Sequence, residues 1–126
     1  MTANSFASVS LAPPLISVNV DRAADMHRIL AATEQFAINV LNSGQEALSR
    51  RFAGNASGRF DGIGYRVEDR GFVLLDGALA TITCESHSSF DAGDHTIYVG
   101  RVVGGAVAAG RPLLYYRGGY ITAGLP

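Results

Sequence analysis

Lysine is absent from this 126-residue chain, and all ten basic residues are arginine. Without lysine there is no P-loop, whose lysine must reach the phosphates. Cysteine is almost absent too: Cys84 stands alone, which excludes an intramolecular disulfide and points to a reducing compartment. No stretch approaches the roughly 18 apolar residues of a membrane helix. The opening residues lack the basic region of a secretory signal, and Pro13-Pro14 interrupts the first apolar run. A cytoplasmic protein that engages no membrane is the expectation. Charged residues make up only 17% of the chain, and the formal net charge is -1. No broad field therefore attracts nucleic acid or an anionic surface. The arginine bias suits bidentate phosphate contacts; genome composition is the plainer source of the same bias.

What is present suits one compact domain with a real core. Hydrophobic residues are 48% of the chain, and fifteen glycines punctuate short apolar runs. That pattern predicts many turns and short strands. Ser5 to Leu11 alternates with strand period, and Pro13-Pro14 ends it because neither proline donates to a ladder. Leu15 to Val20 is a β-branched strand. Asp21 is positioned to cap a helix over Ala24 to Thr33, whose Met26, Ile29 and Leu30 recur at helical spacing. Phe36 to Leu41 reads as a strand. Ser43 is the expected cap of a short helix from Gln45 to Phe52. A Gly/Asn/Ser-rich loop follows over 54–64, then short strands at 65–67 and 72–75. Ala78 to Ser86 and His95 to Val103 are strands flanking a polar turn at Ser88 to Asp94. Gly104 to Arg111 reads as a loop or frayed end. Leu113 to Tyr116 is a last strand, with Arg117-Gly118-Gly119-Tyr120 as a turn beyond it. The sum is mainly β with about two short helices, an antiparallel sandwich or barrel. No β-α-β alternation supports a doubly wound nucleotide fold.

The familiar chemical motifs fail. Gly62-Ile63-Gly64 starts a dinucleotide fingerprint, but Val67 stands where its last glycine belongs. There is no G-x-S-x-G elbow. Cys84, Glu85, His87 and His95 fit no zinc spacing, and no metal is expected. Cys84, His87 and Asp91 form only an unspecified nucleophile–base–orienter set. Three local features carry two readings each. Thr2, Asn4, Ser5, Ser8 and Ser10 are small hydrogen-bonding groups that suit a flat ligand or merely a polar edge strand. His95, after the turn Ala92-Gly93-Asp94, faces either a ligand or solvent. Arg50-Arg51 complements a helix C-terminus or binds a phosphate.

These pieces occur in a recognisable order. Thr2-Ala3-Asn4-Ser5-Phe6, Ser8-Val9-Ser10-Leu11 and Pro13-Pro14-Leu15 resemble the segment that marks the flavin reductase-like family. Val20-Asp21-Arg22, Phe36-Ala37-Ile38-Asn39-Val40-Leu41, Leu48-Ser49-Arg50-Arg51-Phe52-Ala53, Gly77-Ala78-Leu79-Ala80, Ala92-Gly93-Asp94-His95, Val99-Gly100-Arg101-Val102 and Pro112-Leu113-Leu114-Tyr115-Tyr116-Arg117-Gly118 follow in register. The resemblance implies an antiparallel Greek-key split β-barrel. It implies an NAD(P)H-dependent flavin reductase that passes hydride from NADH or NADPH to FMN or FAD, often for a partner flavin-dependent monooxygenase. By position, Thr2, Ala3, Asn4, Ser5, Asn19, Val20, Asp21, Arg51 and Phe52 would meet the flavin. His95, Tyr116, Arg117 and Tyr120 would lie on the nicotinamide-nucleotide side. No acid–base pair is required, because hydride transfer belongs to the cofactors. A homodimer is implied as well.

The sequence departs from the family in places. Ala12 replaces the usual acidic residue before the prolines, and Ser17 and Asn19 make the second strand more polar. Members carry a further N-terminal helix, barrel strand and glycine ahead of the position that Met1 occupies. The chain is thus expected to be a single domain over residues 1–126, N-terminally truncated by gene prediction, fragmentation or real shortening. The rival reading is a flavin-binding module without turnover, or an inactive truncated paralogue. A metal or cysteine hydrolase is the remaining alternative.

Overall fold

Alternation along the second strand gives it one buried face and one more open face. The computed structural model describes residues 1–55 and 57–124. In it β1 (Ala7–Leu11) turns through Ala12 and Pro13 into β2 (Pro14–Asp21), and the Ala12–Pro13 peptide is cis. Helix α1 (Asp25–Ala32) and β3 (Gln35–Val40) follow, then α2 (Glu46–Ala53), β4 (Tyr65–Val67), a 3-10 turn at Asp69–Gly71, and β5 (Val73–Leu75). The chain continues with β6 (Ala80–Ala92), β7 (His95–Val107), β8 (Leu113–Tyr116) and β9 (Gly119–Thr122). Five strands form one sheet in the order β1-β2-β7-β6-β3, while β4-β5 and β8-β9 are separate antiparallel pairs. Mainly β structure with two short helices is what the sequence predicts. Among the described residues no helix is long and apolar enough to cross a membrane.

The chain divides into two compact units, one of residues 3–37 and 82–105, the other of residues 1–2, 38–81 and those after 105. In the first, β2 pairs antiparallel with β7 from Leu15↔Arg101 to Asp21↔His95. Directly opposed residues share a sheet face. Val18 and Val20 thus join Tyr98 and Thr96 on one face, and Ala24, Met26 and Leu30 of the α1 segment pack there. Polar groups fasten the helix. The Tyr98 hydroxyl donates to the His27 carbonyl at 3.0 Å. The buried Thr96 hydroxyl donates to Asp91 Oδ1 at 3.3 Å and meets His27 Nε2 at 2.9 Å. A hydroxyl has one proton, so His27 Nε2 is the donor in that pair. Farther along, Gly100 admits its neighbours: a Cβ there would meet Phe36 Cζ at 2.5 Å and Cys84 Cβ at 2.8 Å.

In the second unit Phe72, Leu74 and Leu75 are buried. Asn39 brackets β5, its Nδ2 donating to the Val73 carbonyl and its Oδ1 accepting from Leu75 N–H at 2.9 Å. The turn between β8 and β9 holds Arg117 at φ 51° and Gly118 at φ 79°. Two consecutive positive φ values are the mark of a type I′ hairpin turn.

Several expectations need correction. Neither helix has a side-chain cap. Asp21 Oδ1 accepts from Ala23 N–H at 2.8 Å, an Asx turn that closes before the helix starts. Ser43 donates its N–H to the Arg111 carbonyl, while Gln45 Oε1 accepts from Asn42 N–H at 2.9 Å and organises the approach to α2. The polar turn at Ser88 to Asp94 shrinks to Gly93 and Asp94, because β6 runs to Ala92. Its outer half is largely exposed, so polarity there reflects solvent and not a break in the ladder. Strand β7 likewise continues through Gly104 and Gly105 to Val107. Gly104 lies close to its neighbour, since a Cβ would meet Thr83 Oγ1 at 2.9 Å. Gly119 and Tyr120 belong to β9, not to a turn.

Candidate functional site

On the unit of residues 3–37 and 82–105, the sheet face opposite α1 gathers several predicted residues. Asn19 opposes Ile97 and Asp21 opposes His95. These four therefore share one face, at the end of the β2–β7 ladder. Asn19 and Asp21 are exposed, and His95 is half-buried. His95 Nδ1 donates to Asp94 Oδ1 at 2.7 Å. That hydrogen bond, followed by attraction to the imidazole, holds the Asp94 carboxyl below the usual carboxylate range. The tautomer with its proton on Nδ1 leaves Nε2 as an acceptor. The Ser5 hydroxyl donates to the Asn19 carbonyl at 2.9 Å and accepts from Asn19 N–H at 3.2 Å. It extends the β1–β2 pairing by a side chain and fixes the approach of the first residues. Ala3 and Asn4 are exposed beside it. Val20 is only 1% exposed and packs toward α1. Its side chain faces away from Asn19 and Asp21, so only its backbone borders their face.

The other unit holds Thr2, Arg51, Phe52, Tyr116, Arg117 and Tyr120. The Thr2 hydroxyl donates to the Ser49 carbonyl at 2.6 Å, and Ser49 Oγ meets the Tyr120 hydroxyl at 2.8 Å. The Arg50 guanidinium lies 4.8 Å from the centroid of the Tyr120 ring, and Tyr115 meets the same ring edge-on at 5.2 Å. Arg51 Nη2 donates to the Gly58 carbonyl at 3.4 Å. Phe52 packs edge-on against Phe60, which packs against Tyr65. Tyr116 is exposed near the end of β8, and Arg117 occupies the left-handed turn position. Thr2 and Tyr120 are thus brought together through Ser49, which sequence reasoning had not singled out. Its signal was a serine three residues before Phe52, and so on the same helix face as that apolar side chain.

The nucleophile set fails. Cys84 is fully buried, and burial pushes its thiol up to about 11. His87 and Asp91 are exposed, and His87 Nδ1 pairs with Ser88. A protonated thiol out of reach of solvent is a core residue, not a nucleophile.

Residues 1–124 match the family described as "Flavin reductase like domain". The chain belongs to the flavin reductase-like family. The FMN reductase (NADH) SmoA of Agrobacterium fabrum is 40% identical over 120 residues, covering 95% of this chain and 68% of that protein. Among solved structures, a nitrilotriacetate monooxygenase component B from Mycobacterium thermoresistibile superposes with TM-score 0.92 at 35% identity, covering 96% of this chain and 69% of that one. The Streptomyces globisporus NADH:FAD oxidoreductase SgcE6, in complex with NAD and FAD fragments, gives TM-score 0.91 at 38% identity and covers 94% and 73%. At these identities the split-barrel fold expected of the family is this chain's fold.

Proposed function

We propose that this chain is an NADH-dependent flavin reductase that passes hydride to FMN or FAD and supplies reduced flavin to a partner monooxygenase. The observation that carries the reading is the match over residues 1–124, with a relative named as an NADH-dependent FMN reductase at 40% identity. A second relative's complex holds NAD and FAD fragments, and a third is named as a monooxygenase component. The donor set fits such ligands. Asn19, Asp21, His95 and Ile97 combine amide, carboxylate, imidazole and apolar surface on one face, which suits a flat ring with a polar edge.

The bound cofactors supply the hydride donor and acceptor. The protein's part is to bind and orient. Ala3, Asn4 and Ser5 are small enough to let their backbone approach a ring, and Ser5 pins that segment to Asn19. Asn19, the Val20 backbone and Asp21 form the strand margin proposed to border the flavin. His95, held by Asp94, is proposed to accept a hydrogen bond from the nicotinamide side. Thr2, Arg51 and Phe52 are proposed as flavin contacts on their own unit, and Tyr116, Arg117 and Tyr120 as contacts of the nicotinamide nucleotide. NADPH is a second hydride donor to assay. A cytoplasmic homodimer completes the proposal, since reduced nicotinamide nucleotides are available in that compartment.

Mixing the purified chain with FMN and NADH without oxygen tests the reading. Bleaching of the flavin absorbance at a rate proportional to protein supports it. Flavin retained through gel filtration but never bleached would replace it with a non-catalytic flavin-binding module.

A further inference from the structure

We propose that Ser49 is a positioning residue whose hydroxyl sets Tyr120 for the nicotinamide nucleotide and whose carbonyl fixes the hydroxyl of Thr2; the assignment of those two residues to ligands rests on the function proposed above. Ser49 is the buried residue of α2, at 2% exposure. Alanine would serve a helix interior better by intrinsic propensity. The hydroxyl therefore answers to something beyond the helix. Its partner is the Tyr120 hydroxyl at 2.8 Å, on β9. The same residue's carbonyl accepts from Thr2 at 2.6 Å. One helical position thus grips two residues 118 positions apart in the chain (Thr2 and Tyr120).

The chemistry of each end follows. The Thr2 hydroxyl has a single proton, directed at the Ser49 carbonyl. Its remaining capacity is for accepting. A ligand group meeting Thr2 Oγ1 must therefore be a donor, such as a sugar-alcohol hydroxyl or a ring N–H. Tyr120 is held on three sides: by Ser49 at its hydroxyl, by Arg50 over its ring and by Tyr115 at its edge. Arg50 is itself fixed by Glu46, with Nε at 3.1 Å and Nη2 at 2.8 Å from Oε1. A tyrosine constrained this way presents a preformed surface and loses little freedom when a ligand arrives.

The test uses the full chain and the variants Ser49→Ala, Ser49→Thr, Tyr120→Phe and the double variant Ser49→Ala/Tyr120→Phe. Steady-state assays at saturating flavin give KM and kcat for NADH. Ser49→Ala and Tyr120→Phe should each raise KM about fivefold, the worth of one neutral hydrogen bond, with kcat changed less than about twofold. The double variant should be no worse than either single one, because both remove the same bond. Ser49→Thr, which keeps the hydroxyl, should restore KM. Lowered melting temperatures with KM at the parent value in both single variants would overturn the proposal and leave Ser49 a packing residue. Additive effects in the double variant would also overturn it. Should the parent fail to bleach flavin, the functional reading falls by itself; the same cycle is then read from NADH dissociation constants by titration, with the same two outcomes.

Discussion

Gly100→Ala adds one methyl group at a crowded point of the sheet. The new Cβ would lie 2.5 Å from Phe36 Cζ, 3.0 Å from Phe36 Cε1 and 2.8 Å from Cys84 Cβ. The phenyl ring can tilt away, but Cys84 Cβ is fixed to the backbone of β6. Gly100 is itself held in register opposite Ile16, so β7 cannot slide. Overpacking of this kind costs about 1–3 kcal/mol. For 126 residues, an unfolding entropy of roughly 2.1 cal/mol/K per residue gives about 0.26 kcal/mol/K. The melting temperature should then fall by about 4–11 °C. Thermal unfolding followed by circular dichroism measures it. Gly124→Ala is the control, because a Cβ there meets nothing within 4 Å. Phe36→Leu in the Gly100→Ala background should recover part of the loss, since it removes Cζ and leaves the Cys84 contact. A Gly100→Ala melting temperature within about 1 °C of the parent would refute the reasoning, since even the low end of the cost predicts more.

His95→Ala should raise the Michaelis constant for NADH about fivefold or more, the loss of one hydrogen bond, while changing the flavin dissociation constant less than about twofold. A larger effect on flavin than on NADH would remove His95 from the nicotinamide side. The Cys84 thiol, pushed up to about 11 by burial, stays neutral in the folded chain where an unfolded thiol would ionise. Its contribution to stability is therefore complete below about 9 and is lost as pH rises toward about 11. Melting temperature should fall more steeply over that window in the parent than in Cys84→Ala, by an amount worth up to about 2–3 kcal/mol. Equal slopes would show that the thiol does not titrate differently in the two states.

Most of the fold is legible because short β-branched and apolar runs are separated by glycine, proline and polar turns. Val18, Val20, Thr96 and Tyr98 turn inward while Asn19, Asp21 and His95 turn out. Strand ends were less legible. Ser88 to Ala92 reads as a turn because its residues are polar, yet backbone pairing in β6 needs no apolar side chain. The helix starts differ from expectation for a related reason. Asp21 and Ser43 have suitable side chains, but Asp21 is engaged in an Asx turn, and Gln45 takes the place at α2. Within the candidate site, Asn19, Asp21 and His95 are named by resemblance, whereas their common face is a property of register that no local pattern discloses. Val20 is placed with them by the same resemblance, and period two sends its side chain the other way. Ser49 is hard to single out in the sequence because a serine in a helix has many bland explanations, and its partners Thr2 and Tyr120 lie 47 and 71 residues away.

The alternation between β2 and β7 has an experimental consequence. Over the last four pairs of this ladder, Val18↔Tyr98 to Asp21↔His95, even-numbered positions of both strands are buried and odd-numbered ones are not. A substitution series run down this ladder should therefore separate into two interleaved classes. Val18, Val20 and Tyr98 variants should move the melting temperature. Asn19, Asp21 and His95 variants should move ligand constants. Neighbouring residues would then belong to different classes, so that open-face side chains can be changed one at a time while the helix-bearing core stays as it is.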